Sequence, residues 1–275
     1  MADAYREIDA VNISTLKRMA VSPMQYVHDL AHPPDATTTM DRGNVSHILS
    51  LQPERARDLV AVFNGVRRAG KEWDRFQEEN ANKLIVRADE YADSETAAAA
   101  VRSHVLVSQY LDAGEAEKVL TWTDKETGLK CKSRLDWLSH SFPAILDLKF
   151  TNNIDARLFG MTAARLGYHL QAAFYTIAAA ASGLGDLEFK IVAVQADPPH
   201  DVVVFHVDED AMWAGEQECR RLLRMVAECR ASGRWPGRYQ GEQVLRLPSW
   251  AYGETTDDDD ATGLDLEWSQ AKEAV

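Results

Sequence analysis

Two acids and a lysine, Asp136, Asp147 and Lys149, carry the clearest chemistry in this chain, within the run RLDWLSHSFPAILDLKF. The segments flanking SHSFP read as two strands joined by a turn, and Asp136 and Asp147 stand at mirrored positions about a point between Ser141 and Phe142. With the hairpin turning there, the carboxylates lie directly across from one another. Side chains two apart on a strand share a face, so Asp147 and Lys149 point one way while Leu146, Leu148 and Phe150 point into the opposite layer. Carboxylates held close repel, and oxygen ligands suit a hard cation between them, magnesium or manganese. Such a cation polarises a phosphoryl oxygen and acidifies water. A neighbouring lysine orients that water and meets the charge of the transition state. Spacing alone leaves a plainer arrangement equally open: a salt bridge of Lys149 with Asp136 across the hairpin, with Asp147 merely exposed.

The elements that must position this trio follow from the patterns around it. ISTLKRMA and SPMQYVHDL read as two short helices, with Ser14 as a capping residue and Pro23 in a first turn. A further helix is expected around 43–51, then helical stretches over 54–80 and 94–113. KVLTWTD, LKCKSRLDWL and AILDLKF form an antiparallel meander with turns at KETG and SHSFP. One long helix over 155–181 follows, stopped by Gly183 and Gly185. FKIVAVQAD and VVVFHVD are two more strands, and a closing helix spans about 208–232. The fold class is therefore α/β (α+β), a central mixed sheet with an antiparallel meander flanked by helices.

The arrangement Asp136-x(10)-Asp147-Leu148-Lys149, followed by Gln171-x-x-x-Tyr175 on the next helix, resembles the PD-(D/E)xK nuclease superfamily. More narrowly it is similar to the branch containing RecB-type nuclease domains, the RecE (exonuclease VIII) family and lambda exonuclease. ISTLKRMAVSPMQYVHDL, the Gly43 to His47 element within MDRGNVSHILSLQPE, and GRWPGRYQGEQVLRLPSWAYG extend the likeness over roughly residues 10–253. The resemblance implies a restriction-endonuclease-like core in one domain over 1–253, with a helical part over about 10–113 and a catalytic core over about 114–235.

It also implies that His47, Asp136, Asp147 and the backbone carbonyl of Leu148 hold Mg²⁺, with Mn²⁺ as a substitute. Glu117 is a further candidate ligand, and Gln171 and Tyr175, four apart on one helical face, assist the site. Arg42, Lys132, Arg134 and Arg165 are candidate DNA contacts. The implied reaction is hydrolysis from the ends of linear double-stranded DNA, 5′ to 3′, leaving 3′ single strands for recombination and repair. A single-strand annealing or recombinase protein is the implied partner, a ring-shaped homo-oligomer the implied assembly, and a phage-type protein the implied kind. An endonuclease of the same superfamily, or an inert DNA-binding protein with this fold, are the competing readings.

Composition bounds these expectations. The chain has 275 residues, is 45% apolar and 27% charged, and no run approaches the length of a membrane span. MADAYREIDA lacks the basic flank and apolar run of a secretory signal, so a cytoplasmic location is expected, in a bacterial or phage-infected cell. Three scattered cysteines, Cys131, Cys219 and Cys229, cannot ligate a four-cysteine iron–sulfur cluster, which argues against the adaptation nucleases that carry one. The net charge of −13 opposes DNA binding, which draws its affinity from neutralised phosphates. Five of the acids fall in ETTDDDD at 254–260, at the start of an acidic tail over 254–275 expected to be disordered.

Overall fold

The computed structural model describes residues 4–33, 38–247 and 251. The acidic stretch over 254–275 lies outside the described residues.

The helices that begin the chain are α1 (Ala4–Glu7), α2 (Ile13–Val21), α3 (Pro23–Ala31) and α4 (Thr38–Leu51). The cap of α2 is Asn12 rather than Ser14, its side chain accepting from the Thr15 N–H, while Ser22 caps α3 by accepting from the Gln25 N–H. The expected helical stretch over 54–80 is a mixture: α5 (Ala56–Leu59), β1 (Val60–Phe63) and α6 (Lys71–Glu79). β1 pairs in parallel with β2 (Leu84–Arg87) in a separate two-stranded sheet. The run VAVF is short, buried and half β-branched, and periodicity does not separate such a run from a turn of buried helix.

The expected helix over 94–113 starts earlier and is broken, as α7 (Ala88–Ser103) and α8 (Val105–Leu111), with His104 capping α8. The meander forms as read: β3 (Gly114–Thr123), β4 (Lys130–Ser139) and β5 (Ala144–Thr151). The single helix expected over 155–181 is two, α9 (Ala156–Leu166) and α10 (Tyr168–Ala181), jointed at Gly167. Gly167 has φ +65, a left-handed conformation that ends one helix and starts the next at a new angle. β6 (Glu188–Gln195), β7 (Val202–His206) and α11 (Glu209–Ser232) complete the order.

The main sheet runs β3-β4-β5-β6-β7, antiparallel except for the parallel β5–β6 pair, which α9 and α10 connect. This is a mixed sheet flanked by helices, the restriction-endonuclease-like core expected. One face buries Ile145, Ile191 and Ala193 against α10, α11 and α2 through Phe174, Leu222 and Leu16. The other buries Leu146, Leu148 and Val192 against Leu51, Val101 and Val107 of α4, α7 and α8. Alternation along β5 thus puts Leu146 and Leu148 in one layer and leaves Asp147 on the face of α10. Among the described residues no helix is long and apolar enough to cross a membrane.

Candidate active site

β4 and β5 pair as Ser139↔Ala144, Leu138↔Ile145 and Trp137↔Leu146. The next pair in that register would be Asp136 with Asp147, the mirrored placement inferred from the turn, but the ladder ends one pair short of it. A second interruption lies on the other edge of β4. The β3 register joins Ala116 to Trp137 and Lys118 to Leu135, passing over Glu117 and Asp136. Glu117 has φ +54, a conformation unusual and strained for a non-glycine residue. Asp136 therefore occupies a break in pairing on both sides, where its carboxylate replaces a ladder bond: Oδ2 accepts from the Leu148 N–H at 2.9 Å.

The carboxylate of Asp147 is 1% exposed and fully engaged. Its Oδ1 accepts from Gln171 Nε2 at 2.6 Å, and its Oδ2 lies 2.6 Å from Lys149 Nζ. The plainer alternative, Lys149 paired with Asp136 and Asp147 exposed, is thus not the arrangement found. Gln171 reaches Asp147 from α10, and Tyr175, one turn further on, is buried and shares a hydrogen bond with Gln171. From α4, His47 brings its Nδ1 to 3.5 Å from Asp136 Oδ2 and packs its ring on Phe150. A strand residue directs its N–H and C=O to the same edge, so the Leu148 carbonyl faces the gap that its N–H spans to Asp136. A backbone hydrogen bond of Leu148 with the His47 ring agrees with that direction.

Burial sets the protonation of this group. It pushes both the Asp136 and the Asp147 carboxyls above the usual carboxylate range, against the pull of Lys149. Burial also works against the charge of Lys149, but Asp147 and Asp136 outweigh it and hold its pKa above the ordinary lysine value. His47 is driven down to about 4 by burial and by the charge of Lys149, so its imidazole is neutral at physiological pH and able to donate a lone pair.

A buried carboxylate, a partly buried one, a neutral imidazole and a backbone carbonyl are a donor set suited to a hard divalent cation. The pairs already made hold these donors apart. Among the described residues no three His, Cys, Asp or Glu side chains are gathered closely enough to enclose an ion. Asp147 is satisfied by Gln171 and Lys149, and Asp136 by Leu148 and His47, so a cation would take over oxygens that Lys149 and the Leu148 N–H now hold.

The remaining expected residues divide. Glu117 directs its carboxylate to Arg134, with Nε at 2.9 Å, while the charge of Arg134 works against the burial that raises the Asp136 carboxyl. Arg134 and Lys132 both lie against the ring of Tyr5 on α1. Lys132 requires a correction as a DNA contact: it is 4% exposed, and its Nζ donates to the carbonyls of Tyr5 and Ile8 at 2.7 Å each. It pins the first residues of the chain across β4. Arg42 gives its charge to Asp93 at 2.8 Å. Arg165 is exposed on α9, and its charge is felt by Tyr168.

One residue that spacing did not single out also stands here. Lys17 of α2 lies 5.7 Å from the centre of the Tyr168 ring, and Lys149 lies 5.0 Å from the same ring. Burial and the charge of Lys149 lower its pKa to about 8. Lys17 is about 120 residues before the motif in sequence, and only the docking of α2 on α10 brings it in. The three cysteines are free and buried.

Comparison with known proteins bears on the fold and the family. A solved structure from Eubacterium rectale, which carries a provisional designation as an exonuclease, superposes with a TM-score of 0.56 at 17% identity, covering 89% of this chain and 91% of that one. At that identity the likeness is one of fold. No curated protein matches the chain. The family described as PDDEXK-like domain of unknown function (DUF3799) matches residues 12–248, which span the sheet, His47 and the whole Asp136–Tyr175 group. The match covers most of the chain and supports a nuclease reading of the site; the chain belongs to this PDDEXK-like family.

Proposed function

We propose that this chain is a divalent-metal-dependent exodeoxyribonuclease acting on the ends of linear double-stranded DNA. The observation that carries the reading is the joined set Gln171–Asp147–Lys149, with Asp136 held beside it at a break in the sheet. A sheet gains no stability from enclosing one carboxylate and partly burying a second beside it, since desolvation favours their neutral forms. Membership of a PDDEXK-like family and a fold shared with a protein designated an exonuclease agree with the reading.

Asp136, Asp147, His47 and the Leu148 carbonyl would hold the cation, Mg²⁺ or Mn²⁺. When bound, it would offset the paired carboxylates, polarise the scissile phosphoryl oxygen and acidify water. The chain's own residues supply the remainder. Gln171 fixes the plane of the Asp147 carboxylate, and Tyr175 fixes Gln171 in turn. Lys149, released from Asp147 Oδ2, orients water for in-line attack on phosphorus and donates to the oxygens that gain charge. Arg134 and Arg165 approach the same area and suit the phosphates on either side. Glu117, across from Asp136, sets the position of Arg134 and remains a candidate further ligand.

The finer reading is resection from 5′ to 3′, yielding 3′ single strands for recombination with a single-strand annealing or recombinase partner. A ring-shaped oligomer enclosing the duplex would reconcile a net charge of −13 with DNA binding, by confining the needed cations to its inner surface. The test is incubation with end-labelled linear duplex and with covalently closed circles, with and without Mg²⁺ or Mn²⁺. Loss of linear DNA alone, abolished by a chelator, is expected. Cutting of circles would replace this reading with an endonuclease, and no cutting of either would replace it with an inert DNA-binding protein.

A further inference from the structure

α2 packs on α11 and α10, so Lys17 points toward the start of α10. Its Cδ and Cε lie 3.6 and 3.4 Å from where a side chain on Gly167 would begin, so the lysine stem runs in ordinary van der Waals contact along the joint. That path delivers a second ammonium to the Tyr168 ring on which Lys149 already rests. Three other cations nearby have carboxylate partners: Lys149 has Asp147, Arg134 has Glu117 and Arg18 has Asp29, while Arg165 lies exposed on α9. Among the described residues, Lys17 has no carboxylate within ion-pair distance, and its contact is the Tyr168 ring.

A half-buried ammonium next to a second one is unfavourable until an anion joins them. A ring face offsets only part of that, about 0.5–2 kcal/mol. The Asp147 carboxylate that pairs with Lys149 answers part of this, and an anion beside Tyr168, whose ring centre lies 5.7 and 5.0 Å from the two ammoniums, would answer the rest. A lysine is a compact charge with three rotatable donors, and it binds the non-bridging oxygens of phosphate as a point charge.

We propose that Lys17 touches the phosphate of the DNA at the reaction centre, so that two lysines from distant parts of the chain bracket it. This rests on the nuclease reading, and it adds a substrate contact outside the Asp136–Tyr175 group.

The test uses the full chain with Lys17→Met, Lys17→Gln and Lys17→Arg. Affinity for a blunt linear duplex is measured across salt concentration with Ca²⁺ in place of Mg²⁺, and kcat/KM is measured with Mg²⁺. One lost phosphate contact makes the slope of log K against log salt shallower by about 0.9. The neutral variants are expected to show that change, with kcat/KM down about 100-fold and melting near the wild type, while Lys17→Arg keeps the slope. A purely structural lysine would leave the slope unchanged, and that result would overturn the proposal. So would loss of fold in both neutral variants, which would show that Lys17 serves the core. Wild-type protein that neither binds nor cuts DNA would overturn the nuclease reading and this proposal together. Wild-type cutting with an unchanged slope in the variants would overturn this proposal alone.

Discussion

At the scale of single residues, the site is a balance of buried charge. Asp147 and Asp136 share Lys149 as their nearest cation, so removing that cation leaves two carboxylates in a poor solvent for charge. Lys149→Met is expected to slow cleavage at least 100-fold, the range seen when a preorganised donor is lost. It should also destabilise the chelated protein by about 3 kcal/mol at pH 8, as breaking a buried pair does. Both carboxyls are already raised in the folded state. Groups so raised contribute stability that is present in acid and lost as pH rises through the folded pKa, so the deficit of Lys149→Met should shrink on acidification. Denaturant melts at pH 8 and pH 5 check this.

His47 works in the other direction. Its folded pKa of about 4 lies below the ordinary 6.5, so the unfolded chain takes up the proton first as pH falls. The stability from this depression is present above pH 6.5 and lost as pH drops toward 4, amounting to about 3 kcal/mol. His47→Gln should flatten the stability profile across that window in chelator, as followed by urea melts.

At the scale of elements, the joint between α9 and α10 is the point most sensitive to one substitution. Gly167→Ala places a Cβ on a left-handed residue and against the stem of Lys17. It is expected to lower stability by about 1–2 kcal/mol and the melting temperature by a few degrees.

The same joint marks where the sequence was hard to read. The 155–181 stretch is apolar and alanine-rich on either side of Gly167, and helical periodicity carries through a single glycine. The β4–β5 hairpin was legible because its register follows from symmetry about SHSFP, and the observed pairs keep that phase. The breaks on either side of Asp136 were not legible, because pattern fixes which residues oppose each other but not where pairing stops. Spacing puts Gln171 and Tyr175 on one helical face, because four residues is about one turn, but only the family resemblance puts that face at the site. Lys17 and the burial of Lys132 could not be placed, since both depend on contacts between segments more than 100 residues apart in sequence. The strand at Val60–Phe63 reads as helix from sequence because four apolar residues, three of them buried, carry too little periodic signal.

At the scale of the whole molecule, an acidic chain that meets DNA through a bound cation and a few basic side chains should bind it only where that centre is reached. Several basic groups that a count would assign to DNA are already used: Lys132 by carbonyls, Arg42 by Asp93, Arg68 by Glu90. Binding should therefore depend on a few phosphate contacts and on the cation, with a salt slope well below that of a broadly basic DNA-binding protein. The central claim, that the Asp147–Lys149 pair performs cation-dependent cleavage at DNA ends, is tested most directly by comparing wild type with Asp147→Asn. The substrate is end-labelled linear duplex in Mg²⁺, and folding of both proteins is confirmed by melting. The account predicts progressive loss of label with the wild type, none in chelator, and a rate at least 100-fold lower for the folded variant. A folded Asp147→Asn protein that cuts at the wild-type rate would contradict it.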